Sequence, residues 1–340
     1  MRGKLKRILS LITVLVFSFG MLGSVSANSE NMESLQVLAD SIIEITSGPD
    51  GIVTYSNIEE FVDLARNRFP EISDYKIAYF LHQFTGQNNV DSLSSEIILE
   101  ILEFKEIGIV DNYLKVNSDG TQIALTEKEA MAALETNNDI MPLSMWTSSD
   151  GYLRITTTYS LYTTQGNRKY YVISATAYWL KAPACKLKDI ICISNTVTYD
   201  DSYNDYAYYQ QKYQCAGAGD AVHDYETVYD YKYANGTGSG VDLLYPSVNG
   251  AGARVNLRAF SCDSSSPGSH NVSMIYMEAY IRYRVIAPIN SQFNIQAAYC
   301  HTQVGLGSVG FNVSTGGAGI SFSFTGVKTE YRARPITILT

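Results

Sequence analysis

The spacing of apolar residues changes once along this chain, near Trp146, and that change limits the fold more than any other feature. Beyond it apolar side chains recur every second residue. Before it they recur every third or fourth, and the two periods belong to strands and helices respectively. In GYLRITTTYSLYTT one face reads Leu153, Ile155, Thr157, Tyr159 and Leu161. After a turn at Gln165-Gly166-Asn167, RKYYVISATAYWL places Tyr171, Ile173, Ala175, Ala177 and Trp179 on one face. The pattern returns in ARVNLRAF (Val255, Leu257, Ala259), in SMIYMEAYIRYRVI (Ile275, Met277, Ala279, Ile281, Tyr283, Val285) and in SQFNIQAAY (Phe293, Ile295, Ala297, Tyr299). Alternating segments broken by Gly, Asn, Asp and Ser, with no helical period between them, predict an antiparallel β-sandwich over residues 144–340.

Upstream, Leu35, Leu38, Ile42 and Ile45 predict a helix from Glu33 to Ile45, broken at Gly48-Pro49-Asp50-Gly51. Ser56 and Glu59 read as a capping box opening a second helix that Pro70 stops. Two more are predicted over Ser73–Phe84 and Ser94–Ile107. YLKV and TQIAL flank a turn at Asn117-Ser118-Asp119-Gly120, and Thr126 with Glu129 caps a last helix through Leu134. The fold class is therefore α+β: a small N-terminal helical domain (28–134), a linker (135–143, ETNNDIMPL) and the tyrosine-rich sandwich (144–340). Charge supports the division. Residues 28–143 carry 21 acidic and 6 basic side chains, whereas residues 144–340 carry 13 and 15. The helical unit reads as a solvated acidic domain or as a propeptide. Proteolysis should cut first between Glu135 and Trp146, leaving a fragment that keeps its strands.

The first 27 residues have the three parts of a secretory signal: Arg2, Lys4, Lys6 and Arg7, an apolar run from Ile8 to Leu22, then Val25-Ser26-Ala27. No cysteine follows the run and the chain ends TILT, so the expectation is a secreted, extracellular protein without a lipid or sorting anchor. The strongly acidic first unit and the lack of a basic run elsewhere argue against nucleic acid as a partner.

Export permits disulfides, and all five cysteines (Cys185, Cys192, Cys215, Cys262, Cys300) lie in the second unit. Cys185 and Cys192 are the nearest pair and are expected to close a short loop. No zinc spacing exists, and the loops at Asp50-Gly51 and Asn117–Gly120 lack the ligand positions of a calcium loop. No metal and no cofactor is expected. Gly305-Leu306-Gly307-Ser308-Val309-Gly310 matches the dinucleotide fingerprint G-x-G-x-x-G. That motif must open a helix. Here Val309, Phe311 and Val313, then Ile320, Phe322 and Phe324, alternate as a hairpin, so the match is accidental.

Signatures of catalysis are missing. There is no G-x-S-x-G elbow and no H-E-x-x-H helix, and the four histidines (His82, His223, His270, His301) are scattered. Cys300 and His301, as neighbours on a strand, face apart. Asp200, Asp201 and Asp205 form the densest acidic cluster of the second unit and read as a solvated loop. Tyrosine is the outlier, with 22 of 26 in residues 144–340. If Ile275–Val285 face the core in alternation, then Tyr276, Tyr280, Arg282 and Arg284 face the other way as a recognition platform.

One further signal is a likeness. The segment YWLKAPACKLKDIICIS (Tyr178–Ser194), together with SEIILEILEFKEI and YLKVNSDG…LTEKEA, resembles uncharacterised exported proteins of Gram-positive anaerobic bacteria. The resemblance implies export and a helices-then-strands layout, and no activity. These features predict a secreted, non-catalytic protein that binds an extracellular glycan or protein. The alternatives are a secreted hydrolase and a membrane-active β-hairpin toxin, although the hairpin arms are short for membrane insertion.

Overall fold

The computed structural model describes residues 29–48, 50–87, 95–116, 121–135, 151–181, 188–200, 207–216, 225–226, 230–233, 238–239, 244–247, 249–256, 273–302, 310–314, 319–323 and 328–340. The first half contains α1 (Ser29–Ile42), the hairpin β1 (Glu44–Ser47) and β2 (Val53–Ser56), α2 (Ile58–Arg68), α3 (Asp74–Phe84) and α4 (Ser95–Glu100). A 3-10 turn at Ile101–Glu103 leads into β3 (Glu106–Val116), β4 (Gln122–Leu125) and α5 (Glu127–Glu135). Every described element of the second half is a strand. This half begins with β5 (Gly151–Gln165), β6 (Arg168–Lys181), β7 (Lys188–Asn195), β8 (Thr198–Tyr199) and β9 (Ala207–Ala216). Short strands follow: β10 (Tyr225–Glu226), β11 (Asp230–Tyr233), β12 (Gly238–Ser239) and β13 (Leu244–Ser247). The chain closes with β14 (Gly250–Asn256), β15 (Ser273–Pro288), β16 (Gln292–Thr302), β17 (Gly310–Ser314), β18 (Gly319–Ser323), β19 (Lys328–Arg332) and β20 (Ile336–Leu339).

These strands make two large antiparallel sheets. Sheet A runs β1-β2-β3-β5-β6-β15-β9-β11-β12, with β4 on β3, β8 on β15 and β10 on β9. Sheet B runs β13-β14-β7-β16-β19, with β20 on β16. The alternation read from sequence names the inner face directly. Leu153, Ile155, Tyr159, Tyr171, Ile173, Ala175, Ala177 and Trp179 of sheet A meet Ile191, Ile193, Phe293, Ile295, Ala297 and Tyr299 of sheet B in one buried cluster. The fold is α+β with antiparallel sheets, and its core lies where the two-residue period put it.

The acidic half is not a separate helical domain. Strand β3 pairs with β5 over its whole length, from Glu106 opposite Leu161 to Val116 opposite Gly151. Sheet A is thus built from both halves. A second cluster, with Leu35, Phe61, Ile77, Leu81, Ile98 and Ile101 from the helices, packs on Ile107, Ile109 and Val172 of the same sheet. The predicted fourth helix was meant to reach Ile107, yet helix ends at Glu103. Strand β3 buries Ile107 and Ile109 under the helices and Val110 and Leu114 against the sandwich, so its sequence shows no clean alternation to announce a strand.

The predicted caps divide. Thr126 and Glu129 form the reciprocal box: Thr126 N donates to Glu129 Oε2 at 2.7 Å, and Glu129 N donates to Thr126 Oγ1 at 3.2 Å. Ser56 instead ends β2, and Asn57 begins α2 from a left-handed backbone with φ 65°. Ile45, expected inside the first helix, is half exposed on β1, because α1 stops at Ile42. The fingerprint of residues 305–310 runs into β17, a strand paired with β18, and Gly310 opens no helix.

Candidate functional site

Two ionic constellations are buried on opposite sides of sheet A. The first lies between the sheets. Asp189, at the head of β7, shares the inward register of Ile191 and Ile193. Tyr299 pairs with Ile191 across β7 and β16, and the ladder then sets His301 beside Asp189. Trp179 Nε1 donates to Tyr299 Oη at 3.1 Å, and that hydroxyl donates to Asp189 Oδ2 at 2.7 Å. His301 Nδ1 donates to the same carboxylate at 2.9 and 3.0 Å. Aromatic rings close the site: Trp179 meets Tyr299, His301 and Tyr331 edge-on, with centroids 5.7, 5.8 and 6.1 Å away.

A carboxylate without water is tolerated only when donors replace it, and here a hydroxyl and an imidazole do so. Burial acts to lower the pKa of His301, but the charge and hydrogen bond of Asp189 outweigh it and leave the imidazole above its ordinary range. Such a pair is the base-and-orienter half of a nucleophilic triad. With His301 at 2% exposure and Asp189 at 0%, no substrate reaches it in this conformation.

The second constellation lies under the helices. Arg282 and Arg284 stand two residues apart on β15, opposite Ser174 and Val172 of β6. Both guanidiniums donate to one carboxylate, Glu100 at the end of α4. The three side chains are 10, 13 and 8% exposed. The Arg284 guanidinium also lies over the Tyr162 ring, 5.6 Å from its centroid. Tyr280 stands next in this row. Burial pushes its hydroxyl up to about 12, with Arg282 opposing.

Arg282 and Arg284 of the expected platform do face away from the sandwich core, and on that side both are paired with Glu100. Helix α4 covers Arg282 and Arg284, Tyr280 is half-buried, and the Tyr276 side chain lies outside the described residues. The signal that was missed is Glu100 itself, three residues after Ile97 on a helix whose stripe is buried. Asp189 was passed over as well. It leads a run, Ile190-Ile191-Cys192-Ile193, that is apolar at every position, so alternation does not say which way its side chain points. The local bridge is also corrected: Cys192 is a buried thiol whose Sγ donates to Ala298 O at 3.4 Å, while Cys185 lies outside the described residues. Cys300 is a second buried thiol. Asp200 is not solvated but buried, its N–H donating to Arg284 O at 3.0 Å. Asp201, Asp205, His223 and His270 lie outside the described residues. Among the described residues no group of three or more His, Cys, Asp or Glu side chains could hold a metal ion. No described helix is long and apolar enough to cross a membrane.

No protein-family model matches the chain, and no curated protein matches it. Among solved structures it is similar to AvmM, described as catalysing macrocyclization in alchivemycin A biosynthesis. The match has 12% identity and a TM-score of 0.17, covering 47% of this chain and 79% of that one.

Proposed function

We propose that this is an exported, non-catalytic protein that binds an extracellular glycan or protein partner through the tyrosine-rich part of sheet A. The observation that carries this reading is where the ionic groups picked out among the described residues lie. Asp189, His301, Glu100, Arg282 and Arg284 are all committed to buried internal networks. Recognition then falls to the strands beyond β15. Register continues the Arg282 row through Tyr208 of β9 to Tyr233 of β11, with Tyr231 opposite Gln210. Tyrosine offers a rigid ring with a polar tip at small entropic cost, which suits sugars and protein surfaces alike.

The test is a screen of the full secreted chain against cell-wall glycans, host glycans and extracellular proteins, with product release followed in the same samples. Binding without turnover is expected. Replacing Tyr208 and Tyr233 together by Ala should then weaken binding by about 2 kcal/mol if they are anchors. Release of product from any bound glycan would overturn the reading.

A further inference from the structure

His82 connects the helical core to the Glu100 cluster. It lies on α3, 3% exposed, with Nδ1 2.9 Å from Gln87 Oε1. Its Nε2 is buried and has no hydrogen-bond partner among the described residues. It faces the backbone of Ile97 and Ile98 in α4 without closing a well-formed bond, and the Glu100 charge acts on it from the same helix. Helix α4 is only six residues long. Ile98 holds it in the helical core, and Glu100 holds it to Arg282 and Arg284 of β15.

We propose that His82, α4 and the Glu100–Arg282–Arg284 cluster form an acid-operated latch, in which protonated His82 competes with the two arginines for Glu100 and frees α4 from β15. A buried imidazolium must find an acceptor or a counter-charge. Gln87 already occupies one ring nitrogen, and the other faces α4. Among the described groups, Glu100 is the charge that acts on His82, and that carboxylate is paired with Arg282 and Arg284 of β15, while Glu96 on α4 is exposed. Burial holds the imidazole down to about 4, so the latch is shut at neutral pH and opens only in acid. Opening uncovers Arg282 and Arg284, which Glu100 of α4 now holds.

Amide hydrogen exchange on the full chain between pH 6.5 and 3.5, corrected for intrinsic rates, tests this. Protection of Ile98–Glu103 should fall at least tenfold on acidification while β5 and β6 keep theirs, and His82→Gln should abolish that fall. An unchanged midpoint in His82→Gln overturns the latch. Simultaneous loss of protection in α4 and in β5–β6 also overturns it. If His82→Gln does not fold at neutral pH, an NMR titration of the wild-type His82 ring decides. A midpoint coinciding with the opening of α4 supports the latch, and a separate midpoint rejects it.

Discussion

Between the sheets, His301 meets a carboxylate. Under the helices, His82 meets an amide at one nitrogen and no partner at the other. Both rings are almost wholly buried, yet their pKa values are displaced in opposite directions. Burial pushes both down, and Asp189 reverses the outcome for His301. A buried histidine is therefore read by its partner and not by its depth. The consequences for stability are opposite too. The raised pKa of His301 contributes stability that is fully present below its unfolded value, near 6.5, and is lost as pH rises through the folded value. The depressed pKa of His82 favours the fold above about 6.5, and that share is lost as pH falls towards 4.

The largest test of the contrast is to remove one side of it. A fragment beginning at residue 144 lacks β3 and the helices, and so exposes the edge of β5 and the buried outer face around Val172. It should show no cooperative thermal transition. A cooperative melt with native-like near-ultraviolet dichroism would restore the view of two independent domains.

Next in size is Asp189→Ala, which strips the acceptor from Tyr299 and His301 together. A loss of about 4 kcal/mol is expected, as for breaking a buried charged pair. Denaturant titration followed by Trp fluorescence would measure it, and the fall in stability on the alkaline side should disappear with it. A change below about 1 kcal/mol would mean that the aromatic rings, not the carboxylate, hold this end of the sandwich.

Gly108→Ala probes the seam between the halves. A Cβ at Gly108 would sit 2.0 Å from the ring of Tyr159, its partner across β3 and β5. Displacing that ring should cost about 2 kcal/mol by overpacking, visible as a lower Tm. An unchanged Tm would show that the ring moves aside freely. The smallest effect belongs to Thr126→Ala, which removes an exposed cap outside both networks. About 1 kcal/mol is expected, and helix α5 alone should fray in amide exchange.

Much of the sandwich was legible because one face of each long strand is uniformly apolar. The inward residues of β5, β6 and β16 follow from alternation alone. Strand β3 escaped because both its faces are buried. The hairpin β1–β2 escaped because each arm has four residues and exposes or half-exposes all of them, so neither shows a period. The ionic networks were hidden for a different reason. Glu100 and Arg282 are far apart in sequence and meet only through packing, and no local pattern records that they do. Asp189 and His301 are strand neighbours in space, and each separately resembles an ordinary surface residue.

The order in which sheet A is assembled has a kinetic consequence. Strand β15 lies in its middle, pairing with β6 from Trp179 opposite Met277 to Arg168 opposite Pro288, and with β9 on its other side. The strands flanking that centre emerge long before the strand that joins them. Closing such long loops is entropically slow, so the chain belongs among folders that take milliseconds to seconds or longer. Until Pro288 has been made, the exposed edge of β6 has no partner, and an arrested or truncated chain would present that edge to others of its kind.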